Sequence, residues 1–315
     1  MEMQRFEKTN HQIRQAFEEL KRGSPNGLGS RLKFSWSNWG FGLEAFETSC
    51  ERLEKAGIRY IELHGNHYGP DLGYNPAKIE NIMAAHGISV SGVCGMFSAD
   101  NDLSSNRHIK RQAAIDYIKR EVEFTARVGG KYMLVCPAAV GRAWKYDDSE
   151  IERSLDSLSR VADIFVRYGI RDAIEPIRAA ETSIIHTFEE AKTYILRLNH
   201  PGVQHINDDA YHMLVGEAHI AQAIWQAGGL LTNLHMADTN SCALGDGSLD
   251  IDAIIMSLYL IGYNNDDNCF VTAEPLGPGG DPYPGQNTKA DPVLLDRLVF
   301  DSVRYFRERE AQLLD

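Results

Sequence analysis

The stretch VRYGIRDAIEP, residues 166–176, decides the fold. A polar amphipathic segment ends on Gly169, and a short apolar run follows at once and stops at Glu175 and Pro176. Glycine at a helix C-terminus relieves left-handed backbone strain, and an immediate strand leaves only a short helix-to-strand loop. The same unit recurs along the chain. LEKAGIRYIEL (53–63), MAAHGISVSGV (83–93) and LYLIGYNNDDNCFVTAEP (258–275) place Gly57, Gly87 and Gly262 between a helix and a strand. RVGGKYMLVC (127–136) and QAGGLLTNLHM (226–236) do so with Gly129–Gly130 and Gly228–Gly229. Strands alternating with helices in this way imply a parallel sheet covered by helices.

Eight strands are expected, near Leu32–Trp36, Tyr60–Leu63, Ser89–Val93, Tyr132–Val135, Asp172–Ile174, Gln204–Asn207, Leu231–His235 and Phe270–Ala273. The matching helices fall near 43–56, 75–86, 107–127, 148–168, 187–198, 217–227, 250–261 and 291–307. Eight such pairs predict closure into a (β/α)8 TIM barrel, an α/β fold, over residues 31–315. A doubly wound open sheet is the alternative, but KFSWSNWGFG (33–42), not a glycine-rich phosphate fingerprint, follows the first strand. Residues 1–30 form an N-terminal arm: a short helix over Asn10–Arg22, then a flexible link, GSPNGLGS (23–30). Covering the barrel floor and touching a neighbouring subunit are both open to it.

With 315 residues, 43% of them hydrophobic, the chain is long enough for one large barrel core. No apolar run reaches the roughly 18 residues of a membrane span. The polar opening MEMQRFEKTNHQIRQ lacks the apolar core of a signal peptide, so a cytoplasmic location is expected. The five cysteines contain no CxxC pair, and Cys94 and Cys136 read as small core hydrophobes. A net charge of -12 argues against a nucleic-acid partner but leaves small neutral substrates open.

Catalytic groups of a parallel barrel gather at the C-terminal ends of its strands. Strand five ends IEPI and strand eight AEPL, so Glu175 and Glu274 each precede a proline that ends the ladder and leaves the carboxylate at the rim. A rim salt bridge explains one such Glu about as well as function does; two matching ends favour function. Strand six ends HINDDAYHM, offering Asp209, with Asp208 competing, and His212 three residues on. Strand seven ends TNLHMAD, with His235 at its tip and Asp238 beyond. Glu, Asp, His and Glu form an oxygen-rich set suited to Mn²⁺, Mg²⁺ or Co²⁺, with Zn²⁺ also open although no thiolate joins.

These motifs resemble the ketose 3-epimerase family of the xylose-isomerase-like superfamily. IEPIRAAETSIIHTFEEA, then DDAYHM, LHMADTN and AEPL follow in the same order and spacing, and the likeness runs from about Leu32 to the C-terminus. The resemblance implies that Glu175, Asp209, His235 and Glu274 hold a divalent cation, Mn²⁺ first, and that Glu181 and His212 contact substrate. NDLSS (101–105) is also similar to the family. The chain departs at Ser241, where the family carries an arginine that grips substrate hydroxyls.

A C–H beside a ketone is too weak an acid for a side chain to ionise unaided at neutral pH. A divalent cation chelating the carbonyl and the neighbouring hydroxyl lowers that barrier, and a placed carboxylate takes the proton. Epimerisation needs proton donors on both faces of the enediolate, which Glu175 and Glu274, approaching from different sides of the mouth, would supply. His64 and His67, in ELHGNHYGPDLGYN (62–75), are weaker candidates, with surface turn residues the default reading. Trp36, Trp39, Phe41 and Trp144 could wall a sugar or aglycone, or simply pack the core. GDGSLD (245–250) reads as a turn into a capped helix.

The expectation is therefore a metal-dependent sugar epimerase or isomerase acting on a sugar or sugar derivative. A lyase that expels the aglycone of a 3-oxo-(C-)glycoside, working with a partner subunit, would use the same chemistry. An endonuclease IV-like enzyme would need more His ligands and a basic face, and a non-catalytic sugar-binding barrel would make the four strand ends a coincidence. A homo-oligomer is expected by analogy with similar barrels.

Overall fold

The computed structural model describes residues 4–65, 74–277 and 291–315. Its strands are β1 Phe34–Ser37, β2 Tyr60–His64, β3 Ser89–Cys94, β4 Tyr132–Val135, β5 Arg171–Ile174, β6 Ile206–Asp209, β7 Leu231–Met236 and β8 Phe270–Ala273. Each pairs in parallel with the next, and β8 pairs back onto β1, closing the barrel. The helices are α1 Arg5–Gly23, α2 Phe46–Lys55, α3 Pro76–His86, α4 His108–Arg127, α5 Glu150–Ser159, α6 Asp163–Tyr168, α7 Phe188–Leu198, α8 Ala210–Gly216, α9 Ile220–Ala227, α10 Ile251–Leu260 and α11 Pro292–Leu314. Gly87 and Gly169 end α3 and α6 at φ 65° and 64°, which a side chain would resist. Among the described residues no helix is long and apolar enough to cross a membrane.

β6 and the helix after β4 depart from the sequence expectation. β6 starts two residues later, because the Gln204 and His205 N–H groups donate to Asp172 Oδ1 at 2.7 and 3.4 Å instead of joining the ladder. Asp208 and Asp209 therefore lie inside the strand, and α8 follows directly. The single helix expected over 148–168 is two, α5 and α6. They break beside Ala162, whose carbonyl stands so close to Gly202 that a Cβ there would lie 2.2 Å from it.

Side chains fill the lumen in layers. At the floor Tyr60, Tyr132, Ala173 and Phe270 form an apolar plug separate from the main core. Above it lies a belt of Glu62, Asn207, Asn233 and Thr272, all fully buried. The main core lies between the barrel and its helices.

The N-terminal arm is part of that core. Eight of the ten residues of α10 are buried, and a helix apolar on every side needs cover on its outer face as well. α1 supplies it by packing against α10, burying Ile13 and Phe17 completely, with the Phe17 ring 6.2 Å from that of Tyr259. Asn10 donates to Asp250 at 2.8 Å, and Lys21 donates to the Leu313 carbonyl at 2.9 Å. The link expected to be flexible is held too, since Asn264 donates to the carbonyls of Gly27 and Ser30 at 2.9 and 3.0 Å. Helix α1 thus lies on the helix layer. Phe17→Ala is expected to cost about 3–5 kcal/mol, as for large aromatic truncations in a core. Urea unfolding measures this; a loss below about 1 kcal/mol would place α1 outside the cooperative unit.

Candidate metal centre

The ladder itself delivers the glutamates. Glu175 N–H donates to the Val135 carbonyl at 3.1 Å, and Glu274 N–H to the Met236 carbonyl at 2.9 Å, before Pro176 and Pro275 end the pairing. His235 stands between them in register with Asp209 on one side and Thr272 on the other. Its Nδ1 lies 3.6 Å from Glu175 Oε1 and 3.5 Å from Glu274 Oε2. One ligand atom each from Glu175, Asp209 and His235 falls within a mutual 4.8 Å, as does one each from Glu62, His235 and Glu274. The four strand-end residues proposed from sequence are therefore brought together. Strand alternation separates the two candidate aspartates: Asp209 faces the cavity, while Asp208 is buried behind it near Glu217.

Glu62, on β2, was not picked out from sequence. It accepts from His235 Nε2 at 2.9 Å, from Tyr132 Oη at 2.7 Å and from Asn233 Nδ2 at 3.4 Å. Asn233 also donates to Asn207 Oδ1 at 2.7 Å, and Asn207 Nδ2 donates to Glu175 Oε1 at 2.9 Å. The belt thus connects Glu62 to Glu175 from below while His235 connects them from above. Glu62 is fully buried and does not line the cavity, so of the two groupings the one that includes Asp209 has room for substrate.

This crowding has electrostatic consequences. Burial pushes Glu274 up to about 8, the Glu62 and Asp209 carboxylates add to the effect, and His235 opposes it. Asp209 is also raised, chiefly by burial. Burial works against charge on His235, yet the Glu274 and Glu62 carboxylates and bonds to Glu175 and Glu62 lift it well above an ordinary imidazole. Glu274 Oε1 is buried with no hydrogen-bond partner among the described residues. Three carboxylates and an imidazole, one oxygen of them unsatisfied, make a donor set that fits a divalent cation. Cys136 lines the same cavity with its thiol 3.6 Å from Glu175 Oε2, and burial keeps it protonated. Cys94 lines the cavity as well, so both cysteines are wall residues and not simply core.

The cavity holds about 210 Å³. Beside the acidic cluster its lining includes the apolar residues Trp39, Met96, Phe97, Val140, Ile177 and Leu276. Glu181 and His212 both line it. Arg178 binds the Glu181 carboxylate and lies over the Tyr211 ring, 4.6 Å from its centroid. The segment carrying Glu181 is closed by Ile177 N–H donating to the Ile185 carbonyl at 3.1 Å, with Ile185 at φ 61°. His212 Nε2 lies 3.5 Å from Asp209 Oδ2, and its buried Nδ1 has no hydrogen-bond partner among the described residues.

Other candidates fall elsewhere. Trp36 does not line the cavity; it is 2% exposed and stacks on Phe41 in the main core, because its side chain points outward from β1. Trp39, in the following turn, takes the wall position. Trp144 is 66% exposed and outside the lining, since Arg142 grips its carbonyl at 2.6 Å and leaves the indole in solvent. His64 is buried at the end of β2. His67 lies outside the described residues. NDLSS is a brace: Asp102 and Ser104 bind Arg142 at 3.1 and 2.8 Å, tying the loops after β3 and β4 together. Ser241 lines the cavity, and its carbonyl accepts from Leu276 and Gly277.

The barrel and its strand-end cluster define a class, and residues 50–290 match the model of that class, the xylose isomerase-like TIM barrel. The chain belongs to this family. It is 31% identical over 241 residues to the 3-dehydro-D-guloside 4-epimerase of Escherichia coli (strain K12), covering 74% of this chain and 89% of that one. It is 25% identical over 228 residues to the ketose 3-epimerase of Arthrobacter globiformis, covering 71% and 76%. The fold superposes on an L-ribulose 3-epimerase structure with a TM-score of 0.78 at 17% identity, covering 90% and 96%.

The raised groups set a pH dependence for the cation-free protein. Glu274 and Asp208 both lie near 8, Asp208 through burial and then the Glu217, Asp209 and Glu175 carboxylates, whereas unfolded carboxyls titrate near 4. Between those values the native state holds more protons than the unfolded chain, so unfolding free energy falls as pH rises. His235 acts in the same sense, its contribution fading as pH climbs through its raised value. The melting temperature of chelator-treated protein is expected to drop between about pH 6 and about pH 8.5, and Mn²⁺ to narrow that drop. A melting temperature that rises over this range contradicts the electrostatics described here.

Proposed function

We propose that this chain is a divalent-metal-dependent sugar epimerase that inverts a carbon next to a ketone by removing its proton and returning it from the other face. Glu175, Asp209, His235 and Glu274 hold the cation, Mn²⁺ in the first instance, with Mg²⁺, Co²⁺ or Zn²⁺ as alternatives. When bound, the cation supplies Lewis-acid stabilisation to the oxygens of the enediolate. One observation carries the reading: two carboxylates, from β5 and β8, flank a single imidazole nitrogen at 3.6 and 3.5 Å. Sitting on different strands, they meet a bound sugar from different sides, so that one takes the proton and the other gives it back.

Glu274 is fitted to this exchange, because a carboxyl held near 8 gives and takes a proton readily around neutral pH. Glu181, braced by Arg178, and His212, beside Asp209, hold substrate hydroxyls. The apolar wall around Trp39, Phe97 and Leu276 excludes water from the intermediate. Both named relatives invert a carbon beside a carbonyl, C3 of a ketose in one and C4 of a 3-dehydro glycoside in the other. We assign the same bond-making to this chain and take a free ketose and a 3-oxo glycoside as its two candidate substrate types. The five cysteines are all free thiols, in keeping with a reducing cytoplasm. A homo-oligomer completes the proposal.

Incubation with each substrate type in D₂O tests it. Deuterium is expected at the inverted carbon of one of them, with no aglycone released. Glu175→Gln or Glu274→Gln is expected to slow exchange by about 10²–10⁴-fold. Release of the aglycone without exchange makes the chain a lyase instead. Exchange that survives both substitutions removes the acid/base pair from the mechanism.

A further inference from the structure

The geometry points to Glu62 as a positioning residue for the metal centre: it fixes the proton of His235 on Nε2 so that the Nδ1 lone pair faces the cation. This rests on the reading above that Glu175, Asp209, His235 and Glu274 hold that cation. A neutral imidazole carries one proton and one lone pair, and whichever nitrogen is engaged elsewhere decides which end is free to ligate. Here Nε2 faces both oxygens of Glu62, at 2.9 and 3.0 Å, while Nδ1 faces Glu175 and Glu274. Imidazole and carboxylate are 1% and 0% exposed, so water has no access to compete for either role.

What surrounds Glu62 makes it an acceptor only. Tyr132 Oη and Asn233 Nδ2 approach the same carboxylate. The Asn233 amide is itself oriented, because its oxygen accepts from Thr272 Oγ1 at 2.7 Å and its nitrogen also donates to Asn207. Three donors from two strands, β4 and β7, therefore converge on Glu62. The register of β2 against β3 shifts between Ile61 and Glu62, the kind of irregularity that re-aims a side chain beside an active site. Glu62 could instead be counted as a ligand, since it groups with His235 and Glu274. Its oxygens are already taken by donors, and it does not reach the cavity wall.

Glu62→Gln gives the test, because an amide has one acceptor oxygen and must turn its NH₂ towards one of the three donors. If that donor is His235, the imidazole accepts on Nε2 and its proton moves to Nδ1, against the cation. Mn²⁺ binding, measured by calorimetry on the purified full chain, is expected to weaken about 10- to 100-fold. Tyr132→Phe removes a different donor to Glu62 and leaves the carboxylate on His235, so it is expected to weaken Mn²⁺ far less. Nitrogen-15 spectra of histidine-labelled, Zn²⁺-loaded wild type are expected to show His235 with its proton on Nε2 and its metal bond on Nδ1.

Equal losses in the two variants, or unchanged Mn²⁺ binding in Glu62→Gln, overturn the role given to Glu62. So does a wild-type spectrum with Nε2 on the metal, which needs no variant to fold. A wild type that binds no Mn²⁺, Mg²⁺, Co²⁺ or Zn²⁺ removes the metal centre itself, and this inference with it.

Discussion

Like charges in a low-dielectric lumen repel strongly, and this barrel places Glu62, Glu175, Asp209 and Glu274 around one imidazole. Each carboxylate must find donors, take up a proton or meet a cation. The first two routes are visible: Glu62 gathers donors from β4 and β7, and Glu274 takes up a proton. The third is open to Glu175, Asp209 and Glu274, which line the cavity. Much of the architecture follows from this demand. Asn207, Asn233, Thr272 and the Tyr132 hydroxyl occupy lumen positions that branched aliphatic residues fill in most barrels. They are there because the layer above them is charged.

That belt also explains how a parallel barrel keeps such a site rigid without a large polar interior. A polar belt underlies the charged cluster, and an apolar plug of Tyr60, Tyr132, Ala173 and Phe270 seals it from below. Tyr132 belongs to both layers, its ring in the plug and its hydroxyl on Glu62. Asp209 plays a similar double part at the mouth. Its Oδ1 accepts from the Tyr211 N–H at 2.8 Å and caps α8, while its other oxygen faces His212. The helix start and the site are thus set by one side chain.

The features read from sequence are those that announce themselves locally. A glycine between helix and strand in six of the units and a proline after each of Glu175 and Glu274 punctuate the chain, so strand number, closure and the positions of those glutamates could be inferred. His235 followed from its place at a strand tip, whereas Asp209 was separable from Asp208 only through the family resemblance. What stayed hidden depends on which way a strand faces. Glu62 sits in YIEL, where alternation alone does not separate an inward from an outward glutamate, and register shifts occur beside both Glu62 and Asn207. Trp36 and Trp39 differ by three residues, yet one packs outward from β1 and the other follows a turn into the mouth. The break between α5 and α6 lies against Gly202, a contact that separation along the chain conceals.

Ile185 adds a last consequence. A β-branched residue in the left-handed region carries a conformational penalty of about 1–3 kcal/mol, and it persists only where its surroundings over-determine it. Here it shapes the segment that carries Glu181. The Ile177 N–H bond to the Ile185 carbonyl closes that segment without any contribution from a sugar. The loss of freedom that a floppy loop would charge against each binding event has already been met by the fold, so encounter with substrate leaves little to rearrange on that side of the mouth.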